Sequence, residues 1–324
     1  MNTTHQKQAP VFMVVVAFAT VYLVWGSTYF FIQRAVHEMP PFILGALRFM
    51  TAGMILLGWC LYKKEKIWNT QQFKAAAISG ILMLFIGNGA VIWAEQNLAS
   101  SLVAVLTSAA PLWFVLLDAP KWQENFKSRA TVIGLAVGFS GVILLFSEKV
   151  NSALSATSNS ILQVAGLAVL VVGTMSWAGG SLYSKYKSSG TGVVNVMWQL
   201  IAAGTTFLLI SFASNEWKGF HWQSVSGTAW ASVIYLIIMG SLAGYSAYVW
   251  LLQVRTATQV STYAYVNPVV AVLLGVLFAG EHMTWLQIAG LTIILLSVLL
   301  INIVKQRKEK EQNAKKRSPE VKAA

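Results

Sequence analysis

The sequence predicts an all-α membrane protein whose ten transmembrane helices form two inverted five-helix repeats. Three observations predict it: a composition that only lipid can solvate, ten apolar stretches of spanning length, and an internal repeat of five stretches each. Hydrophobic residues make up 56% of the 324 residues and charged residues 10%, against about 25% charged in soluble proteins. So few charges cannot keep that much apolar surface dissolved in water. The bilayer is the main solvent.

A spanning helix needs about 20 apolar residues at a rise of 1.5 Å each. Ten stretches meet that length: 11–33, 42–61, 75–95, 99–117 and 131–147, then 161–183, 193–213, 229–252, 258–279 and 285–304. No stretch alternates polar and apolar residues over ten positions, as a membrane barrel strand would. The first stretch is too long for the apolar core of a secretion signal and has no small-residue cleavage site after it, so it is expected to be retained. It also has a counterpart in the second half of the chain.

Charge supplies the orientation. The net charge is +12, but eight of the 23 Lys and Arg lie after residue 304 and most others sit in short gaps between apolar stretches. With the amino terminus inside, the cytoplasmic side receives Lys7, Lys63, Lys64, Lys66, Lys74, Lys121, Lys127, Arg129, Lys185, Lys187 and Arg255. The other side receives Arg34, Lys149 and Lys218. Eleven against three follows the positive-inside rule and puts both termini in the cytoplasm. A basic surface spread over one face would have pointed to nucleic acid; this distribution excludes it as a partner. Cys60 is the lone cysteine, so no intramolecular disulfide can form.

The repeat appears when the chain is slid by 157 residues. Trp93 then falls on Trp250, Gln96 on Gln253, Pro111 on Pro268 and Glu124 on Glu281 without a gap. Gly134 falls on Gly290 with one residue of slip, Trp25-Gly26-Ser27 lies opposite Trp177-Ala178-Gly179, and Arg48 lies near Gln199. Five spans per half is an odd number, so the halves enter the membrane from opposite sides. That architecture is common among secondary transporters, whose substrate site lies near midplane between the halves. The organisation expected is a first repeat over 11–147, a polar connector over 148–160, a second repeat over 161–304 and a disordered basic cytoplasmic tail over 305–324. The tail carries the charge to hold anionic lipid, but a cytoplasmic stop signal that fixes topology is the favoured reading.

Several motifs resemble the EamA-type ten-helix exporters of the drug/metabolite transporter superfamily. They are WGSTYF at Trp25–Phe30, PPF with GALRF from Pro40 to Phe49, GNG with AEQN from Gly87 to Asn97, WAGGSLY at Trp177–Tyr183, YAYVNPVVAVLLG at Tyr263–Gly275, and Gly280-Glu281. The resemblance runs from about Phe18 to Val304 and rests on the order, spacing and duplication of these motifs. It implies a central cavity open by turns to each face of a bacterial inner membrane, and export of metabolites, amino acids or drugs. One departure is Asp118-Ala119-Pro120-Lys121-Trp122, which stands where the second half has the apolar run Gly275–Ala279. An irregular end to the fourth span is expected there.

Residues fit to meet a substrate follow from what a membrane tolerates. Arg48 lies about seven residues into its span, roughly 10 Å below the surface. Such charges face a cavity or a partner, so Arg48 is a contact for an anionic group such as a carboxylate, with Glu95 as candidate partner. The alternative is a structural arginine that snorkels outward or ties down carbonyls. Trp25 and Tyr29 share a helix face with Tyr22 and Gly26; Tyr245 and Tyr248 share another near Ser241 and Gly244; Tyr263 and Asn267 stack at i, i+4. These stripes either line a cavity or pack helices closely. Pro111 and Pro268 are expected as paired helix breaks or hinges, each freeing the carbonyl four residues back.

Other functions fare worse. An intramembrane enzyme needs a nucleophile with a base, paired acids or a metal, and the spans hold no HExxH, no His and no pair of acids. No catalytic residue, metal or cofactor is therefore expected. A channel has no evident use for an inverted repeat, and a sugar-phosphate or nucleotide-sugar carrier would find one arginine thin provision for phosphate. A small-molecule substrate and the lipid bilayer are the partners expected, for a monomer or a homodimer.

Overall fold

The structure is a computed structural model and describes residues 9–98, 103, 106–156, 160–279 and 284–321. Among the described residues it is nearly all helix, with no strand. In order come α1 (Val11–Val36), α2 (Pro41–Tyr62) and α3 (Thr70–Gly80), which runs through a π-helical stretch (Ile81–Asn88) into α4 (Gly89–Asn97). Next are α5 (Ala110–Leu117), a 3-10 turn (Ala119–Lys121), α6 (Trp122–Lys127) and α7 (Arg129–Ala156). The second half holds α8 (Ser160–Lys187), α9 (Gly192–Ala213) and α10 (Gly227–Tyr235), which passes through a second π-helical stretch (Leu236–Gly244) into α11 (Tyr245–Val254). It ends with α12 (Ala257–Val260), α13 (Tyr263–Ala279) and α14 (Trp285–Val321).

Helix is the form that lets a chain in lipid bond all its own backbone groups, and local residues set the ends. Pro41 opens α2, where a missing N–H costs nothing. Asn69 caps α3 by accepting from the Gln72 amide at 3.0 Å, and Thr256 with Gln259 forms a capping box at α12. Lys64 turns the chain after α2 with a φ of 55°.

Seven helices among the described residues are long and apolar enough to cross a membrane, or eight if the bent pair Ala119–Lys127 and Arg129–Leu145, turned by 92°, is one span. The count of ten is not reached. The fourth expected span runs through residues 99–102 and 104–105, which lie outside the described residues, and α13 is 17 residues long. Glu281, matched with Glu124 in the repeat, also lies outside them. The irregular end of the fourth span is present: Asp118 breaks the helix, and the 3-10 turn and α6 follow before the bend. Helix α14 runs on to Val321, α7 to Ala156, and α8 starts at Ser160.

Packing pairs the two halves. Helix α2 lies along α9, and α7 along α14; α1 packs on α13 and the second π stretch, while α8 packs on α5 and the first. Contact is backbone to backbone where glycine allows it: a Cβ on Gly80 would stand 2.4 Å from the Gln199 carbonyl oxygen. Large apolar side chains such as Leu23, Phe30, Leu209 and Leu296 point outward, more than half exposed, as a lipid-facing surface requires.

Candidate functional site

The two halves meet at a ring of aromatic side chains. Trp25 of α1 and Trp177 of α8, which correspond in the repeat, touch edge to face with ring centroids 5.4 Å apart. Tyr263 stands 5.0 Å from Trp25, also edge-on, and Tyr248 lies 4.8 Å from Trp25 and 5.5 Å from Tyr263. Edge-to-face pairing suits the ring quadrupoles, and the Trp25 indole N–H donates to the Gly240 carbonyl at 3.3 Å.

Three of these rings, Trp25, Trp177 and Tyr263, border a cavity of about 740 Å³ of empty space, part of it open to solvent. Trp25, Tyr29, Arg48, Tyr245, Tyr263 and Asn267 all line it. Tyr248 does not. It stands behind the wall, fully buried, where its hydroxyl pairs with Ser181 at 2.7 Å and accepts from the Trp177 indole at 3.0 Å. Pro111 and Pro268 are not in the wall either, although their chain neighbours Ala110 and Asn267 are.

Arg48 supplies the charge. Its side chain is 4% exposed and its guanidinium donates to the Ser241 hydroxyl at 2.9 Å and to the Asn88 amide oxygen at 3.5 Å. Its guanidinium carbon lies 4.8 Å from the Phe49 ring centroid. Neither hydrogen bond goes to a backbone carbonyl, and no carboxylate among the described residues lies within ion-pair distance of it. The pairing with Glu95 is not formed. A guanidinium has five N–H donors in a fixed fork, so three remain for a ligand. Asn267 adds a buried amide oxygen with no hydrogen-bond partner among the described residues.

Both neutral partners of Arg48 come from π-helical stretches, which the sequence reading did not anticipate. Asn88 ends the first and Ser241 lies within the second, and the two stretches overlap when the chain is slid by 157 residues. Such stretches shift the helical register and recur at functional sites. The signal was present as Gly-Asn-Gly at 87–89 and Gly-Ser-x-x-Gly at 240–244. An ordinary helical period groups Asn88 with Leu84, Gly87 and Val91, and Ser241 with Tyr245, and all of them stand in the cavity wall.

The prolines divide. Pro268 lies inside α13, and the carbonyl it frees, that of Ala264, accepts from the Ser108 hydroxyl at 2.9 Å. Pro111, expected in a helix interior, instead lies in the first turn of α5, after a break at Ser108-Ala109. No group of three His, Cys, Asp or Glu among the described residues is placed to hold a metal.

The profile of the EamA-like transporter family matches residues 12–147 and again 164–303. The inner membrane transporter YedA of Escherichia coli K12 is 33% identical over 291 residues, which cover 89% of this chain and 90% of YedA. Protein PecM of Dickeya dadantii is 26% identical over 282 residues, covering 86% of this chain and 88% of PecM. A solved crystal structure superposes with a TM-score of 0.71 at 18% identity, covering 91% of this chain and 98% of its own, which is a likeness of fold alone.

Proposed function

The chain belongs to the EamA-like transporter family, and on that premise we propose that it exports small, partly apolar solutes carrying a carboxylate, amino acids and their analogues first among them. The observation that carries the reading is Arg48, buried in an aromatic cavity where its hydrogen-bond partners among the described residues are neutral. Removing a guanidinium from water is costly unless a counter-charge repays it. A carboxylate entering the cavity meets the free edge of the fork, and Trp25, Tyr29 and Tyr263 offer their faces to its apolar part. The Asn267 amide oxygen is then an acceptor for an ammonium or hydroxyl group.

The architecture that goes with this function is ten spans in two inverted halves, both termini in the cytoplasm, the cavity opening to each side in turn. Support comes from the eleven-to-three split of basic residues, from the two family matches along one chain, and from the facing pair Trp25 and Trp177.

A growth-inhibition screen tests the reading. A strain overexpressing the protein should resist one class of amino acid or analogue, and Arg48→Gln should abolish that resistance while the protein still reaches the membrane in normal amounts. Resistance confined to neutral or cationic drugs, and untouched by Arg48→Gln, would overturn it.

A further inference from the structure

The cavity has a filled counterpart. Arg48 and Gln199 lie at matching places in the two halves, on α2 and α9, which run along each other. Around Arg48 the protein is hollow. Around Gln199 it is closed, and the closure is polar. Tyr245, whose ring lines the cavity, donates its hydroxyl to the Gln199 side-chain oxygen at 3.0 Å. The Gln199 amide nitrogen donates to Ser79 at 2.9 Å and to Ser184 at 3.0 Å. Ser184 then pairs with Ser188 at 3.2 Å, and Ser188 accepts from Asn195 at 2.9 Å. Tyr245, Gln199, Ser79 and Ser184 are no more than 1% exposed, whereas Ser188, just past the end of α8, is partly exposed. A column of neutral hydrogen-bonding groups thus runs from the cavity floor to the edge of the molecule. The Asn195 side-chain oxygen, 2% exposed, has no partner in it among the described residues.

A plain seal between helices in lipid would be apolar, since buried polar groups are tolerated only when every one is satisfied. This column meets that condition nearly throughout while closed, and it can be wetted when the helices part. Contact between α3 and α9 at Gly80 and Gln199 keeps it shut.

We infer that the column Tyr245–Gln199–Ser184–Ser188 is the closed half of the transport path, which opens in the other state and bonds the substrate there through Gln199 and Tyr245. The inference rests on the carrier reading with two inverted halves. A rotation that brings one half into the conformation of the other opens the protein at Gln199 and closes it at Arg48. The substrate leaves a charged fork and meets a neutral amide, so it is held less tightly on one side than on the other.

The test uses the full chain with Cys60→Ala, which removes the lone native thiol, and single cysteines at Ser184, Ser188 and Asn88 in proteoliposomes. The probe is a membrane-impermeant cationic methanethiosulfonate applied from either side. Ser188→Cys should label from one face. Ser184→Cys should label more slowly from that same face, and Asn88→Cys from the opposite face. Gly80→Ala, which wedges α3 away from α9, should speed labelling at 184. A cysteine at 184 that stays unlabelled from both faces while 188 labels, or that labels from the Asn88 face, would overturn the inference. Labelling needs no substrate, so its failure leaves the Arg48 reading standing, and failure of the Arg48→Gln screen leaves the labelling result standing.

Discussion

The helix broken ahead of Pro111 and the helix that carries Pro268 in its interior meet the same chemical problem in different ways. A proline offers no N–H to the carbonyl four residues back. At Pro111 the chain begins a new helix, so the missing donor falls among first-turn groups that have no intrahelical partner anyway. At Pro268 the helix runs on, and the orphaned Ala264 carbonyl is served by Ser108 of the other half. Ser108 belongs to the break that precedes Pro111. The irregular turn of one half therefore supplies the donor that the kink of the other requires. Two halves alike in sequence need not be alike in conformation, and a carrier open toward one side at a time requires that they differ.

The largest effect that sharpens this contrast is on transport. Pro268→Ala returns an amide N–H that competes with Ser108 for the Ala264 carbonyl and straightens α13. Exchange of a carboxylate-bearing solute in proteoliposomes should slow by roughly tenfold, about 1.4 kcal/mol on the barrier. Pro111→Ala should stay within about twofold, because a first-turn proline gives up no hydrogen bond. Equal losses from the two would erase the distinction.

A smaller effect is on stability. Ser108→Ala leaves the Ala264 carbonyl buried without that donor and should cost about 1–3 kcal/mol, read as a lower melting temperature in detergent. In the Pro268→Ala background the main-chain amide takes over, so the same substitution should cost less, with a coupling of about 1 kcal/mol in a double-mutant cycle. Strict additivity would separate Ser108 from the kink.

The smallest effect concerns a second exchange between the halves. The Glu38 carboxylate accepts from the Ser226 amide at 2.6 Å and its hydroxyl at 2.7 Å, just ahead of α10. The Glu216 carboxylate accepts from the amides of Phe42 and Ile43 at 3.2 and 2.9 Å in the first turn of α2. Each acid favours a helix N-terminus of the other half, yet their proton affinities shift in opposite directions. Hydrogen bonds from the Ser226 amide and hydroxyl hold Glu38 below its ordinary value. Burial pushes Glu216 up, against the pull of the Ile43 and Phe42 amides. The stabilisation from Glu38 is present above the unfolded-state pKa and fades as pH falls through its lowered folded value. For Glu216 the folded state prefers the proton, so its contribution is present below the unfolded-state pKa and fades as pH rises through the raised one. Melting temperatures between about pH 3 and 7 should lose their acid limb in Glu38→Gln and their fall just above the carboxylate range in Glu216→Gln. Identical profiles for the two variants would contradict the opposite shifts.

What lipid imposes is written along the chain and can be read there. A span needs an unbroken apolar stretch, a loop announces itself by lysines, and a polar or aromatic residue kept within a span is conspicuous. Trp25, Tyr29, Arg48, Tyr245, Tyr263 and Asn267 were identified in that way, and all six stand in the cavity wall. Tertiary structure decided the rest, because it depends on register and on partners distant in sequence. Asn88 and Ser241, from segments far apart in sequence, meet at Arg48. Tyr248 shares a helix face with Tyr245 and still lies behind the wall, since only the approach of α8 separates a lining residue from one in the next layer. The same holds for Pro111, for Ser108, and for the column that begins at Gln199. Whether a proline starts a helix or kinks one, which hydroxyl reaches a freed carbonyl, and which of two matched polar sites is hollow are settled by contacts between the halves, and a contact has no local signature in either segment that makes it.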